Sequence, residues 1–582
     1  MKKYIYSAAC GVMMSFSMSS CVDMSFAPTT EVSSDLYWKT AEDATLALHG
    51  VYNATRTFFH RNYGWDGASE MMWGNNIPNF KLNPNSGIGT GFDAHWKNGY
   101  QVINRANSTL EHLETMLSLY TEENMQKELK RVKGELYFLR AIVYFRLMDL
   151  WGDVPFYTKV LDGNSEAYSL TRTPRKDIKE HILNDLEFAK ENVPIKIDNS
   201  ERGRATRAAI YGFSGKIKLY WACWMKSEGN LTEAAEYYKA AAADFAEVMK
   251  PEYGLALFRN GDPGTPEHPN YLDLFDGRND YNSEVIFATS NAGPNLSGVG
   301  DPYVYDFGTR STGNGGANAV PTIRLMNRYQ LLSTGDYAEP LVVKDGLTPE
   351  ERANMPNGSC NPASYEGRDY RIRSCMWDGQ TFPRVSPDGL TIGPEQLIFL
   401  YRTNNNVTHI NAQGPTTGYI FRKYVRDYAW GGRESGQQDT YLMRLPDLWL
   451  MYCEAVNEIN DGPTNELFEL VDKIRHRGGL PPLDYNKFNT KETFFKAIEQ
   501  ERIIELVAEG HRFFDIRRWH KVEEIWPAPD GLRLTSTWGE SDWYRDEFKN
   551  AEDRDYQRFY LFKIPQSEIV QNPGLIQNDC WL

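Results

Sequence analysis

The sequence predicts a mainly α-helical fold in which tetratricopeptide-like helix pairs support an irregular, loop-rich half with few short strands. Apolar residues recur at helical spacing in several long segments, including 126–151, 202–226 and 231–249. The last two segments are rich in small residues, which let consecutive helices approach closely, although no fixed repeat length is visible. From about 250 to 435 the helical period fades, and Gly, Pro, Asn and Asp become frequent, as in long loops.

The N-terminal residues are predicted to be a secretory signal followed by a lipid anchor. Lys2 and Lys3 precede a mostly apolar or small run that ends at Cys21 and is too short and serine-rich to span a bilayer. We therefore expect residues 1–20 to be a signal peptide, Cys21 to carry a lipid, and 21–34 to be a polar spacer. The alternative is cleavage by an ordinary signal peptidase, in which case Cys21 has no such role.

Residues 35–582 are expected to form a single domain. Its parts are a helical scaffold at about 35–250 and 436–582 and a loop-rich insert at about 250–435. The first helix should begin near Thr40, because Thr40 and Asp43 have the spacing of an N-terminal capping pair. The long helix that starts near 126 should stop at Gly152, which a proline follows at 155.

Other segments show weaker but recognisable patterns. Helical periods are present over 175–192 and again within 440–478, and strand-like apolar runs occur at 284–288 and 396–401. The sequence therefore places short strands in the insert and at least one further group of helices after it.

The charge of the chain makes nucleic acid an unsuitable partner. The formal net charge is −15, and residues 1–20 contain two Lys and no acid, so the chain without them is more acidic still. An acidic surface repels the phosphate backbone, so we expect no nucleic-acid binding.

The cysteine content argues against a complete disulfide framework. Besides the two cysteines of residues 1–21, five of the chain's 7 remain, which is an odd number. Cys360 and Cys375 can pair within one loop region, whereas Cys223 and Cys453 fall in helical patterns and are expected to be buried thiols.

Glu501, Glu505 and Glu509 recur every fourth residue and would lie in one column of a helix. Like charges at this spacing destabilise a helix, so the column requires basic partners. The candidates are arginines downstream or on another helix: Arg512, Arg517, Arg518, Arg140 and Arg146. Gly510 is placed to end the helix in a left-handed turn. We interpret the stretch as a buried ion-pair cluster that fixes the last helices, because no His or metal pattern accompanies the carboxylates.

Aromatic rings beside amide and carboxylate groups in aperiodic segments are the candidate ligand contacts. A ring face can stack on the apolar C–H face of a sugar, while amides and carboxylates bond its hydroxyls. The first group lies in 59–98 and comprises Trp65, Asp66, Trp73, Asn75 and Asn76. The second group lies in the loop-rich half and comprises Tyr303, Tyr305, Arg368, Trp377 and Trp430. The alternatives are that the rings pack inside their loops and that Arg368 braces a carboxylate such as Asp369.

Several motifs resemble those of one protein family, in the family's order. Residues 501–519 have the pattern E-R-x-x-E-L-x-x-E-G-x-R-x-F-D-x-R-R-W, and residues 134–155 contain G-E-L-Y-F-L-R-A and L-W-G-D-V-P. Residues 37–44 carry Y-W-K-T-x-x-D-A, residues 562–565 carry F-K-I-P, and residues 368–371 resemble an R-D-P-R turn with Tyr370 in place of Pro. These runs resemble motifs of the SusD/RagB family.

The resemblance implies a function as well as a fold. Members of the family are α-helical surface lipoproteins whose tetratricopeptide-like pairs cradle an irregular ligand-binding half. They are held to the outer membrane by an N-terminal lipid, capture an oligosaccharide ligand, and deliver it to a SusC-like TonB-dependent outer-membrane transporter. Some members bind peptides, so a peptide ligand remains an alternative.

Motifs typical of enzymes were not found in the sequence. It contains no Gly-rich phosphate loop, no His/Cys metal spacing and no nucleophile elbow. We therefore predict a non-catalytic binding protein with no cofactor and no metal. A surface glycoside hydrolase is an alternative, because no motif is needed to mark a pair of catalytic carboxylates. A purely structural role in the importer complex is another.

Overall fold

The computed structural model describes most of the chain after residue 36. The described residues are 37–74, 92–161, 166–293, 299–308, 318–342, 351, 354–358, 361–375, 381–385, 391–396, 419–425, 434, 436–525 and 556–582. Within these ranges, no helix is both long enough and apolar enough to cross a membrane.

The N-terminal half is built of long helices that pack consecutively. They are α1 (Ala41–Phe58), α2 (Asp93–Leu119), α3 (Glu123–Trp151), α4 (Arg175–Asn192), α5 (Arg207–Ser227) and α6 (Leu231–Val248). Each helix packs on the next, as in tetratricopeptide-like pairs. Thr40 and Asp43 form the predicted capping box of α1, and Gly152 ends α3 with a φ of +74°.

Small residues bring α5 and α6 close together, as predicted. A Cβ atom added to Gly215 of α5 would lie 2.6 Å from Cε1 of Phe245 on α6, so only glycine fits at this crossing. The aromatic ring occupies the space that a side chain would otherwise fill, and this contact is part of the main apolar core.

A second group of helices follows the insert, as the sequence predicts. These are α7 (Leu445–Asn460), α8 (Asn465–Arg477), α9 (Lys491–Glu505) and α10 (Arg512–Arg518). Shorter helices lie at Asn270–Asp273, Tyr303–Phe307, Ile323–Met326, Val522–Ile525, Gln557–Tyr560 and Gln566–Gln571. Because α7 packs on both α6 and α9, it joins the two helical groups. The C-terminal segment packs against the end of α3, where the Trp151 indole N–H donates to the Lys563 carbonyl at 3.0 Å.

The strands are short and form antiparallel pairs. They are β1 (Met72–Gly74), β2 (Val285–Thr289), β3 (Ala319–Pro321), β4 (Thr381–Val385), β5 (Thr391–Gln396) and β6 (Thr440–Arg444). β1 pairs with β3, β2 with β6, and β4 with β5. The predicted strand at 284–288 corresponds to β2. The one predicted at 396–401 meets the described residues only at Gln396, where β5 ends.

Apolar side chains are buried in three clusters. One fills the helical scaffold, a second lies in the loop-rich half, and a third lies among α7, α8 and α9. Cys223 and Cys453 are buried free thiols, as expected. Cys375 is also a buried free thiol and lies 3.1 Å from the Tyr329 hydroxyl oxygen, whereas Cys360 lies outside the described residues.

The glutamate column takes part in a buried ion-pair network, as predicted. We call this network the charge cluster; its members are Glu284, Asp369, Arg371, Lys423, Arg444, Arg475, Arg477, Glu501, Glu505 and Glu509. It contains equal numbers of acids and bases, and every member is almost fully buried. Burial alone would raise the pKa of Glu505, but Arg477, Arg444 and Arg371 outweigh it and hold the pKa at about 2.

The structure corrects two details of this prediction. α9 ends at Glu505, so Glu509 follows the helix and Gly510, with a φ of +82°, lies in a later turn. None of the five arginines proposed as partners of the column pairs with it. Arg512 pairs with Glu70 and Glu499, Arg517 with Asp149, Arg518 with Glu454 and Asp515, and Arg140 with Asp185, while Arg146 lies over the Phe514 ring. The partners instead come from the insert, β6 and α8, which sequence spacing does not reveal.

Candidate functional site

The backbone of Trp73 lies in a short sheet that joins the N-terminal scaffold to the insert. In the β1–β3 pair, Trp73 is opposite Val320 and Gly74 is opposite Ala319. The N–H of Thr322 donates to the Met71 carbonyl at 3.1 Å and continues this connection. The sheet therefore brings the aperiodic segment after α1 next to the loop-rich half.

Asp306 accepts hydrogen bonds from two separate segments beside this sheet, residues 61–63 and Asn318. Its carboxylate accepts a bond from Arg61 Nε at 2.7 Å, one from Asn318 Nδ2 at 3.0 Å, and one from the Tyr63 hydroxyl. Arg61 also reaches the exposed Glu434 with an N–O distance of 3.3 Å. We call these five residues the Asp306 junction. It ties the ends of distant loops to one place on the molecule.

The electrostatics of the junction favour a fixed protonation pattern. Burial and the Asp306 carboxylate raise the pKa of Tyr63 well above its ordinary value, so its hydroxyl stays protonated and remains a donor. Burial, with Arg61 and Arg56 nearby, lowers the pKa of His60 to about 4, so this imidazole is neutral at pH 7. The side chains of Arg61 and Glu434 are 27% and 53% exposed and present charge at the edge of the junction.

The two tyrosines of the helix Tyr303–Phe307 have different environments, because side chains two positions apart point to nearly opposite sides of a helix. Tyr303 is 1% exposed, and its ring stacks on Tyr424 at 4.2 Å with an interplanar angle of 9°. Tyr305 is half-buried. Of the two predicted contacts, Tyr305 is therefore the one with surface left for a ligand, and burial corrects the expectation for Tyr303.

Trp65 and Asp66 are buried rather than open to a ligand. They lie in the short 3-10 helix Asn62–Ala68, and the Trp65 ring, 5% exposed, packs on Phe92 and Phe513. Asp66 accepts the backbone N–H groups of residues 510 and 512, both at 3.1 Å. Burial raises the pKa of Asp66 to about 7 despite these bonds. The alternative of a packed loop applies to these two residues.

Arg368 is a loop brace and not an exposed ligand contact. It is 4% exposed, its Nε donates to the Ser364 carbonyl at 2.9 Å, and its guanidinium lies over the Tyr365 ring. The neighbouring Asp369 pairs with Arg371 inside the charge cluster. The turn at 368–371 is therefore part of the scaffold, and Arg368 bonds backbone carbonyls instead of the expected carboxylate.

The remaining predicted contacts are only partly covered by the structure. Trp73 is described by its backbone, while Asn75, Asn76, Trp377 and Trp430 lie outside the described residues. Across the described ranges, no group of three His, Cys, Asp or Glu side chains is arranged to hold a metal ion.

Sequence reasoning missed most of the Asp306 junction. Arg61 and Asp306 are 245 positions apart, and neither belongs to a motif. No local pattern marks such a pair, because its members come from segments that are far apart in the sequence.

A family model described as the SusD family matches residues 283–581, and one described as starch-binding associating with outer membrane matches residues 49–219. SusD-like protein P2 of Formosa agariphila is 24% identical over 609 aligned residues, which cover 100% of this chain and 99% of that protein.

Solved structures show the same fold. A SusD-like carbohydrate-binding protein of Bacteroides fragilis aligns with a TM-score of 0.68 at 22% identity, covering 93% of this chain and 100% of that one. A laminarin-binding SusD-like protein aligns with a TM-score of 0.58 at 20% identity, covering 93% of this chain and 99% of that one. Because the first family model spans over half of the sequence, and the fold agrees along nearly all of it, the chain belongs to the SusD family.

Proposed function

We propose that this protein is a non-catalytic, surface-exposed lipoprotein that binds oligosaccharides beside the Asp306 junction and hands them to a SusC-like TonB-dependent outer-membrane transporter. The observation that carries the proposal is the convergence of β1, β3, Tyr303–Phe307 and Glu434 at one place. Membership of a family of carbohydrate-binding proteins supplies the ligand class.

The residues near the junction suit sugar recognition. Trp73 and Tyr305 supply aromatic rings for the C–H face of a pyranose, and the predicted contacts Asn75 and Asn76 follow Trp73 after Gly74 in the sequence. The bonds to Asp306 hold residues 61–63 and Asn318 beside the helix that carries Tyr305, so this part of the site needs little ordering on binding. A site that makes few hydrogen bonds to its ligand favours an affinity modest enough for release to a transporter.

Glycan binding is tested by isothermal titration of residues 22–582 with a panel of neutral plant, microbial and host oligosaccharides that includes laminarihexaose and maltohexaose. We expect Trp73→Ala and Tyr305→Ala each to weaken binding about tenfold or more, equivalent to about 1.4 kcal/mol. Trp449→Ala, a half-buried tryptophan of α7, is the matched control and should leave the affinity unchanged. Unchanged binding in both junction variants would refute the assignment of the site.

The same samples separate binding from catalysis. Chromatography after prolonged incubation should recover each oligosaccharide intact. Shortened products from the pure protein would support the glycoside hydrolase alternative, and binding of peptides without any glycan would support the peptide alternative.

Anchoring and delivery require cellular assays. Cys21→Ser should abolish lipid incorporation at the N-terminus and release the protein from the outer-membrane fraction. Tagged protein should co-purify with a TonB-dependent barrel from detergent-solubilised outer membranes. Membrane attachment that survives Cys21→Ser, or purification without any barrel, would contradict the respective part of the proposal.

A further inference from the structure

A cleft of about 940 Å³ shares no lining residue with the Asp306 junction. One wall is a face of α2, the opposite wall is residues 155–161 and 167–170, and the C-terminal residues 568–575 close one end. Its volume is within the range of small-ligand sites in proteins.

The α2 wall presents uncharged polar groups in a row. Gln101, Asn104 and Ser108 are spaced by three and four residues, so they lie on one face of the helix. Gln101 and Asn104 are exposed and Ser108 is half-buried. Within the described part of the chain, the side chains of Gln101 and Ser108 and the Nδ2 group of Asn104 make no hydrogen bond. Donors and acceptors are thus available along the cleft.

The opposite wall carries aromatic rings that buried bonds hold in position. The Tyr157 ring lies parallel to that of Tyr100, with 6.0 Å between the ring centroids and an angle of 13°. Its hydroxyl donates to Asn104 Oδ1 at 2.9 Å and so connects the two walls of the cleft. Tyr168, which is 45% exposed, adds a third ring near the C-terminal end.

The backbone of this wall is clamped from below. The Tyr144 hydroxyl accepts the Tyr157 N–H at 3.0 Å and donates to the Tyr157 carbonyl at 2.9 Å. Asn107 Nδ2 donates to the carbonyls of Tyr157 and Lys159 at 3.2 and 3.3 Å. Asn107 is itself held by Arg140, whose Nη1 donates to Asn107 Oδ1 at 2.7 Å. These contacts fix the backbone of this wall in advance of binding. They involve no residue of the Asp306 junction.

We propose that this cleft is a second binding site for a neutral oligosaccharide. It rests on the proposed glycan-binding function for its ligand class. Amides and hydroxyls facing tyrosine rings match the alternating hydroxyl and C–H surfaces of a sugar. The charged groups Lys97, Arg105 and Glu568 are of mixed sign, so they do not select an anionic ligand. A second site on one molecule would raise the retention of a long glycan through its effective concentration.

Hydroxyl-radical footprinting of the chain lacking residues 1–21 tests occupancy directly, with the same oligosaccharide panel as probes. Tyr168 and Tyr485 are both 45% exposed, and Tyr485 does not line the cleft, so it corrects for radical scavenging by the sugar. We expect at least one glycan to lower the oxidation of Tyr168 relative to Tyr485 several-fold. An unchanged ratio with every glycan at its highest soluble concentration would overturn the proposal.

Variants then separate the two sites. Binding that remains in Trp73→Ala should fall about tenfold when Tyr168→Ala is added, whereas adding Tyr485→Ala should have no effect. Equal effects of these two tyrosine variants would also overturn the second site. Protection of Tyr168 without any loss in Trp73→Ala or Tyr305→Ala would leave the cleft standing and refute the junction. Loss of binding in the junction variants with no protection of Tyr168 would do the reverse.

Discussion

Replacing Arg444 by methionine should be among the most destabilising single changes on β6. Arg444 is 0% exposed, and its guanidinium bonds Glu284 at 2.8 Å, Glu505 at 2.6 Å and Glu509 at 2.7 Å. Methionine fills similar volume but removes the positive charge, so the equal numbers of acids and bases in the charge cluster become unequal. One buried carboxylate is then left without a compensating charge.

The size of the effect follows from burial. Removing one partner of a buried ion pair typically costs about 3–5 kcal/mol, because the remaining charge stays desolvated. The matched control is Lys487→Met, since Lys487 pairs with Asp336 at 3.2 Å with both side chains more than half exposed. Such a surface pair contributes about 0–1 kcal/mol. The two variants remove the same kind of charge and differ mainly in burial.

Urea unfolding followed by circular dichroism measures both variants. The double variant Arg444→Met/Glu509→Gln restores equal numbers of acids and bases, so it should be more stable than the sum of the two single losses predicts. A loss below about 1 kcal/mol for Arg444→Met, equal to that of Lys487→Met, would refute the reasoning that the cluster depends on charge balance.

Three other changes have defined outcomes. Burial lowers the pKa of His511 to about 4 from its ordinary 6.5, so as the pH falls the imidazole is protonated in the unfolded chain before it is protonated in the folded one. The free energy of unfolding should therefore fall by about 3 kcal/mol between pH 6.5 and pH 4. Urea titrations over this pH range should show a flatter slope for His511→Gln. Gly510→Ala should cost more than about 2 kcal/mol in thermal unfolding, because φ is +82° and the new Cβ would overlap the Asn62 carbonyl; no loss would contradict this packing. Asn107→Ala should lower the free energy of unfolding by about 1–3 kcal/mol and weaken glycan binding in the cleft. A loss of stability with unchanged protection of Tyr168 by the glycan would show that Asn107 supports the fold but not the binding wall.

The helical scaffold was largely predictable because its signals are local. The segments 126–151, 175–192 and 231–249 match α3, α4 and α6 to within a few residues, since apolar spacing and Gly or cap residues fix both the face and the ends. Gly152 and Thr40 act as predicted for the same reason.

The site was less predictable because its contacts are long-range. An aromatic residue in an aperiodic segment can line a ligand site or anchor a loop, and Trp65 and Trp73 look alike in sequence. The stacking of Trp65 on Phe513, which is a tertiary contact, identifies Trp65 as a loop anchor. The cleft at α2 was missed because Tyr100 and Asn104 fall at core spacing, and the opposite wall, which contributes Tyr157, comes from a different segment.

The charge cluster also bears on how proteins with this architecture can acquire new ligands. Its members from the insert, Glu284, Asp369, Arg371 and Lys423, divide residues 285–422 into two spans. The ends of these spans are held by ion pairs to α8, β6, α9 and Glu509 in the turn after α9. Sequence changes within a span do not by themselves remove these ion pairs. The two spans can therefore diverge in sequence separately from each other while the ion pairs at their ends are kept.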